Sequence, residues 1–150
     1  MSRKSIALLT LIFVAPVIVY FLWPSDEARI RTLFREGARA IENRNVEDVM
    51  SKVSFSYTDE HGLSYLYLRK LMEKAFKEVE DIHVNYDITK LDIMDGKATA
   101  GVDVRVAATR GAERGYMLGD AERPLHITFT LDKERTKWLI TRTEGLPRWF

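Results

Sequence analysis

The fold class this sequence predicts is an α+β domain carried behind one apolar N-terminal helix. Three observations predict it. An uncharged run extends from Ser5 through Ser25, apolar residues recur at helical spacing from Ser25 to Val79, and twofold alternation takes over after Glu80. The chain of 150 residues, 46% hydrophobic and 30% charged, has the composition of one ordinary globular domain. The expected organisation is a cytoplasmic tip and transmembrane anchor at residues 1–24, then an extracytoplasmic domain at residues 25–150. Without Arg3 and Lys4 the 23 basic residues fall to 21 against 22 acidic ones, so the domain is nearly neutral. Nucleic-acid binding calls for a basic surplus or stripe, which this balance does not supply. The absence of cysteine removes disulfides, thiol nucleophiles and cysteine zinc ligands.

Ile6 to Trp23 is apolar apart from Thr10, Pro16 and the amphipathic Tyr20. Eighteen helical residues span about 27 Å, enough for a hydrocarbon core. Arg3 and Lys4 precede the run, and Ser25, Asp26 and Glu27 follow it. The positive-inside rule therefore puts the N-terminus in the cytoplasm and the domain outside a cell membrane crossed once, in the periplasm if the cell is a Gram-negative bacterium. Tyr20 and Trp23 then fall near the outer interface. A cleaved secretory signal shares this charge order but has a shorter apolar stretch and a small-residue cleavage site, and no convincing one follows here. A buried core helix is the third reading of the same run.

Ser25 is placed to cap a helix, with Asp26 and Glu27 at its positive end. Ile30, Leu33, Phe34, Gly37 and Ile41 recur along it at helical spacing. Asn43-Arg44-Asn45 breaks this helix, and Asn45 with Asp48 caps a short second one carrying Val46, Val49, Met50 and Val53. Ser54 to Thr58 reads as a short strand with Phe55 and Tyr57 on one side, ending in the turn Asp59-Glu60-His61-Gly62. Between Ser64 and Val79, Leu68, Leu71, Met72, Ala75, Phe76 and Val79 form one stripe of a long helix. Ile82, Val84, Tyr86 and Ile88 then alternate with polar residues, and the parity slips before Leu91 and Ile93, as a bulge makes it. Asp95-Gly96 is a hairpin turn. Ala98, Ala100, Val102, Val104 and Val106 form the next strand, residues 107–124 a long mobile loop, Leu125 to Leu131 a third strand and Lys137 to Thr143 a last one. The expected sheet is a four-strand antiparallel meander joined by the short strand.

That element order, with D-G-x-A-x-A at Asp95, Gly96, Ala98 and Ala100 and W-x-I at Trp138 and Ile140, resembles the nuclear-transport-factor-2-like (NTF2-like) superfamily. The resemblance covers Glu27 to about Gly145. It implies a cone in which two N-terminal helices and one long helix pack on a curved, mainly antiparallel sheet, with an internal pocket between them. The superfamily includes ketosteroid isomerases, polyketide cyclases and dehydratases beside many binding and accessory domains, so the fold leaves function open. Its enzymes use pocket-facing acids with a tyrosine or histidine. No such motif matches here residue by residue, and no catalytic role carries over.

The residues able to carry chemistry are few. His61 lies in an acidic turn, where it serves the turn or a proton relay. His83 and His126 stand on the polar parity of their strands, and no H-x-H or H-x-x-x-H spacing points to a metal site. Asp103 and Arg105 share that parity and are placed to pair with charges on neighbouring strands. If this parity lined the pocket, Asp103 would be the first general base to consider, in a set with Asp59 and Asp87. Phe55, Tyr57, Tyr65, Tyr86, Asp103 and Trp138 are the candidate pocket residues for a small hydrophobic ligand, with core packing the competing role. Tyr116, Met117 and Leu118 are expected exposed at the centre of the long loop, and Arg148-Trp149-Phe150 against the sheet or the membrane interface. The sequence thus predicts a tethered noncatalytic accessory or binding domain without cofactor or metal. Its expected partners are the bilayer through residues 6–23 and a protein or a second copy through the sheet.

Overall fold

The computed structural model describes residues 3–148, with side chains from Ala7 to Arg148; the expectation for Trp149 and Phe150 lies outside the described residues. Helix α1, Arg3–Leu22, contains Pro16, and every side chain from Ala7 to Leu22 is exposed. No single helix among the described residues is long and apolar enough to cross a membrane. The pair Ala7–Leu22 and Asp26–Glu42, bent by 47°, passes by length and composition together. Its second member is helix α2, Asp26–Glu42, whose inner face is buried in the domain core. The unburied apolar surface of the pair therefore belongs to α1.

Helix α2 starts where its cap predicts: the Ser25 hydroxyl accepts the Ala28 amide at 3.1 Å. It buries Ile30, Leu33, Phe34 and Ala40. Helix α3, Val46–Met50, is capped by Asn45, whose side chain accepts the Asp48 amide. Strand β1, Val53–Asp59, follows, and then the long helix α4, Tyr65–Glu78. Strands β2, Glu80–Met94, and β3, Lys97–Arg110, form the hairpin around Asp95 and Gly96, both at positive φ as a tight twisted turn requires. The register shift between Ile88 and Lys90 falls where the parity slips. Strands β5, Leu125–Glu134, and β6, Lys137–Glu144, complete the meander.

One feature differs from expectation. The segment read as a long mobile loop is mostly sheet: β3 continues to Arg110, and strand β4, Glu113–Leu118, folds back on it from Val106↔Leu118 to Arg110↔Glu113. Met117 and Leu118 are accordingly half-buried against the core, and Tyr116 alone of the three is exposed. Strand β4 gives no alternation to read because most of its side chains stay in solvent on both faces. Strand β1 pairs parallel with β6, so the sheet is mixed but mainly antiparallel, as expected, in the order β1-β6-β5-β3-β2.

The core lies between the helices and one sheet face. Ala98, Ala100, Val102, Val104, Val106 and Ala108 of β3 point into it, against Ile30, Leu33, Phe34 and Phe76. Phe34 meets Phe129 edge to face at 5.1 Å. Ile30, Ala100 and Leu131 are fully buried and Val102 is 1% exposed, so side chains fill the space between helix α2 and the sheet.

Candidate functional site

The candidate pocket residues lie in separate parts of the fold. Tyr57 points inward from β1 and its hydroxyl is 2.5 Å from the Thr143 hydroxyl; burial pushes the phenol above its ordinary pKa. Phe55, expected on the same side, is 86% exposed and packs its ring 4.8 Å from that of Tyr65 at the start of α4. An irregularity between Val53 and Thr58 breaks the alternation, and the buried Ser54 hydroxyl donates to Glu134 Oε1. Tyr86 is half-buried on the core face of β2. Trp138 is buried near the start of α2, where its indole N–H donates to Asp26 at 3.0 Å.

Asp103 stands on the outer face of the sheet, because the opposite parity of β3 is the one in the core. Its cross-strand neighbours are Asp87 and His126. His126 Nδ1 lies 2.7 Å from Asp103 Oδ1, and the imidazole rests over Gly101, where a Cβ would come within 3.2 Å of Cε1 and 3.3 Å of Thr89 Oγ1. Glycine is what lets the ring lie against the strand. Arg105, next on this face, donates to the Asp120 carbonyl and anchors the β4–β5 connection. A carboxylate orienting an imidazole can pass a proton, but this pair sits in solvent, with side chains 35% and 58% exposed. No wall there excludes water from a reacting group. The parity of the two strands indicated a cross-strand role for both residues, and only register brought them together.

The remaining titratable candidates serve local structure. Asp59 is buried, and its Oδ1 accepts the amides of His61 at 2.9 Å and Leu63 at 2.7 Å, closing the turn before α4. His61 Nε2 lies 3.3 Å from the Leu146 carbonyl, and His83 stands exposed 3.9 Å from Glu42. Among the described residues no group of three or more His, Asp or Glu is placed to hold a metal ion.

Two further places escaped the sequence reading because each joins distant segments. A groove of about 430 Å³ runs between Asn43, Arg44 and Val46 on one side and Glu73, Phe76 and Lys77 of α4 on the other. Arg44, at φ 53°, closes its end by donating to the carbonyls of Phe76 and Val79. The other place is the junction with α1. Asp26 Oδ1 accepts Lys133 Nζ at 2.9 Å as well as the Trp138 indole, and these bonds hold its carboxyl below the usual range. Arg29 donates to the Thr136 carbonyl at 3.1 Å and lies 5.3 Å from the Trp23 ring centroid. The first turn of α2 is thereby fastened to the β5–β6 hairpin.

No family model and no curated protein matches the sequence. Solved structures do match it in shape. A conserved protein from Planctomyces limnophilus superposes with a TM-score of 0.70 at 15% identity, over 81% of this chain and 94% of that one. A putative scytalone dehydratase from Novosphingobium aromaticivorans gives 0.64 at 13% identity, over 77% and 79%. A nuclear-transport-factor-2-like protein of unknown function from Shewanella oneidensis gives 0.60 at 11% identity, over 80% and 98%. Helices packed on a curved mixed sheet, in this order and with these neighbours, make this a nuclear-transport-factor-2-like fold.

Proposed function

We propose that the chain is a membrane-tethered, noncatalytic binding domain held at the outer surface of the bilayer. The observation that carries this reading is α1: an apolar helix with every described side chain in solvent, leading through Trp23, Pro24 and Ser25 into a domain that already has its own filled core. Exposed apolar surface of this extent is unstable in water and finds its place in lipid. The apolar run continues in sequence from Ile6 to Trp23. The noncatalytic part draws support from the candidate acids. Asp59 is engaged by backbone amides, Asp87 is exposed, and Asp103 is paired with His126 on the outer face.

Sodium carbonate washing of membranes is the direct test. The full chain stays in the pellet, and a Leu11→Lys/Val14→Lys variant moves to the supernatant; extraction of the unaltered chain by carbonate overturns the tether. With no native cysteine, a single Asn85→Cys reports the side of the domain by maleimide labelling of intact cells. The binding role predicts a stoichiometric protein partner on purification from solubilised membranes, and isolation of the chain alone counts against it. Binding of a small hydrophobic ligand by Phe55, Tyr57, Tyr65, Tyr86, Asp103 and Trp138 has less support, since these residues do not converge. Native mass spectrometry showing a copurifying lipid would reinstate it.

A further inference from the structure

We infer that the end of the domain next to α1 carries a second bilayer contact, in which the tips of the β2–β3 and β5–β6 hairpins dock on anionic lipid headgroups. The inference rests on the tether reading and adds a surface and a lipid class to it.

Position comes first. The two tips adjoin one another: Lys133 donates its amide to the Gly96 carbonyl at 2.8 Å, and Lys97 lies opposite Asp132 in the register. Both adjoin the root of the tether, through Asp26 to Lys133 and Trp138 and through Arg29 to Thr136. Helix α2 climbs from this end to the other, where Glu42 accepts the Val84 amide at 3.0 Å. A bend of 47° between the helices continues α1 away from the far end of α2. Since Trp23, Pro24 and Ser25 alone separate Leu22 from Asp26, at most about 14 Å of chain lies between the end of α1 and the residue that binds the β5–β6 tip, given at most ~3.6 Å per residue.

Chemistry selects the occupant. Lys97, Arg135 and Lys137 are exposed at the tips and, among the described residues, have no carboxylate partner. Of the tip acids, Glu134 Oε1 accepts from buried Ser54, and one Asp132 oxygen is buried. Asp95 and Glu134 are themselves exposed. Beside these cations Met94 is 75% exposed, an unbranched apolar side chain at the outermost turn. Free cations around a projecting apolar group, at the edge of a hydrophobic helix, match a layer of anionic headgroups over hydrocarbon.

The test uses the full chain reconstituted in vesicles, with single cysteines carrying an environment-sensitive fluorophore and spin labels on the lipid headgroups as quenchers. Probes sit at Met94→Cys, at Val19→Cys inside α1 and at Asn85→Cys near the far end of β2. In vesicles containing one third phosphatidylglycerol, the Met94 probe is quenched well above the Asn85 probe. That quenching falls at least twofold in pure phosphatidylcholine, in half-molar salt and in the Arg135→Glu/Lys137→Glu variant. Unchanged circular dichroism confirms that the charge reversal leaves the fold intact. A Met94 probe no more quenched than the Asn85 probe, while the Val19 probe reports hydrocarbon, overturns the headgroup contact and leaves the tether standing. A Met94 signal indifferent to lipid charge and to the reversal overturns it equally. A Val19 probe in water overturns the tether itself, and the contact with it.

Discussion

Tyr57 shows how one residue closes the seam between the parallel strand and the rest of the sheet. Its ring fills the small core formed with Met50 and Val53, and its hydroxyl and that of Thr143 satisfy each other away from water. Tyr57→Phe strands the Thr143 hydroxyl and is expected to cost about 1–2 kcal/mol of stability, the price of a buried unpaired polar group. Thr143→Val costs a similar amount alone, and the double variant costs clearly less than the two together. Urea unfolding of the four proteins in detergent, followed by tryptophan emission, measures the cycle; strict additivity would show that the hydroxyls do not bond. At this scale the sequence was partly readable. Alternation placed Asp103 and His126 on one polar face, whereas Phe55 and Tyr57 were separated by an irregularity that local pattern does not record.

The β3–β4 hairpin is the element that the sequence concealed. Its glycines and charges read as loop, yet β4 pairs with β3 from Val106 to Arg110, and Met117 and Leu118 pack on the core. Amide hydrogen exchange is expected to show protection from Val106 to Arg110 and in their β4 partners, comparable with the rest of β3; exchange at free-peptide rates there would mean the pairing is absent. Gly119 makes the exit from β4 possible. It has φ 67°, and a Cβ would lie 2.9 Å from the Val104 carbonyl oxygen and 3.0 Å from the Leu125 nitrogen. Gly119→Ala should therefore destabilise by about 2 kcal/mol or more, through backbone strain and displaced strands. A thermal melt of the variant matching that of the parent would contradict this.

For the whole molecule, the decisive feature is how firmly the first turn of α2, next to α1, is joined to the β5–β6 hairpin. Asp26 binds Lys133 and Trp138 across more than a hundred residues of sequence. Two charge-assisted bonds are worth about 1.5–3 kcal/mol where buried, but the Asp26 side chain is 39% exposed, so Asp26→Asn is expected to cost nearer 1 kcal/mol. The depressed carboxyl sets the pH dependence. The bonus it confers is complete above the unfolded value near 3.8 and disappears as pH falls through the lower folded value. Melts of the parent and Asp26→Asn in detergent should thus differ at neutral pH and converge as the pH falls below 3.8 and through the lower folded value. A difference that grows with acidity would place the stabilisation elsewhere.

By itself, the sequence determined the uncharged run, both helix caps, the long amphipathic helix, the Asp95-Gly96 hairpin and the bulge in β2. These follow from spacing along one segment, because a side that must be buried writes its period into adjacent residues. Tertiary structure decided which segments meet. It set β1 parallel beside β6, folded β4 onto β3, placed His126 against Asp103 and fastened Asp26 to the last hairpin. It also put Lys97, Arg135 and Lys137 at one end beside Met94. Contacts of this kind depend on register and crossing between distant segments, and periodicity within a segment carries no information about its partner.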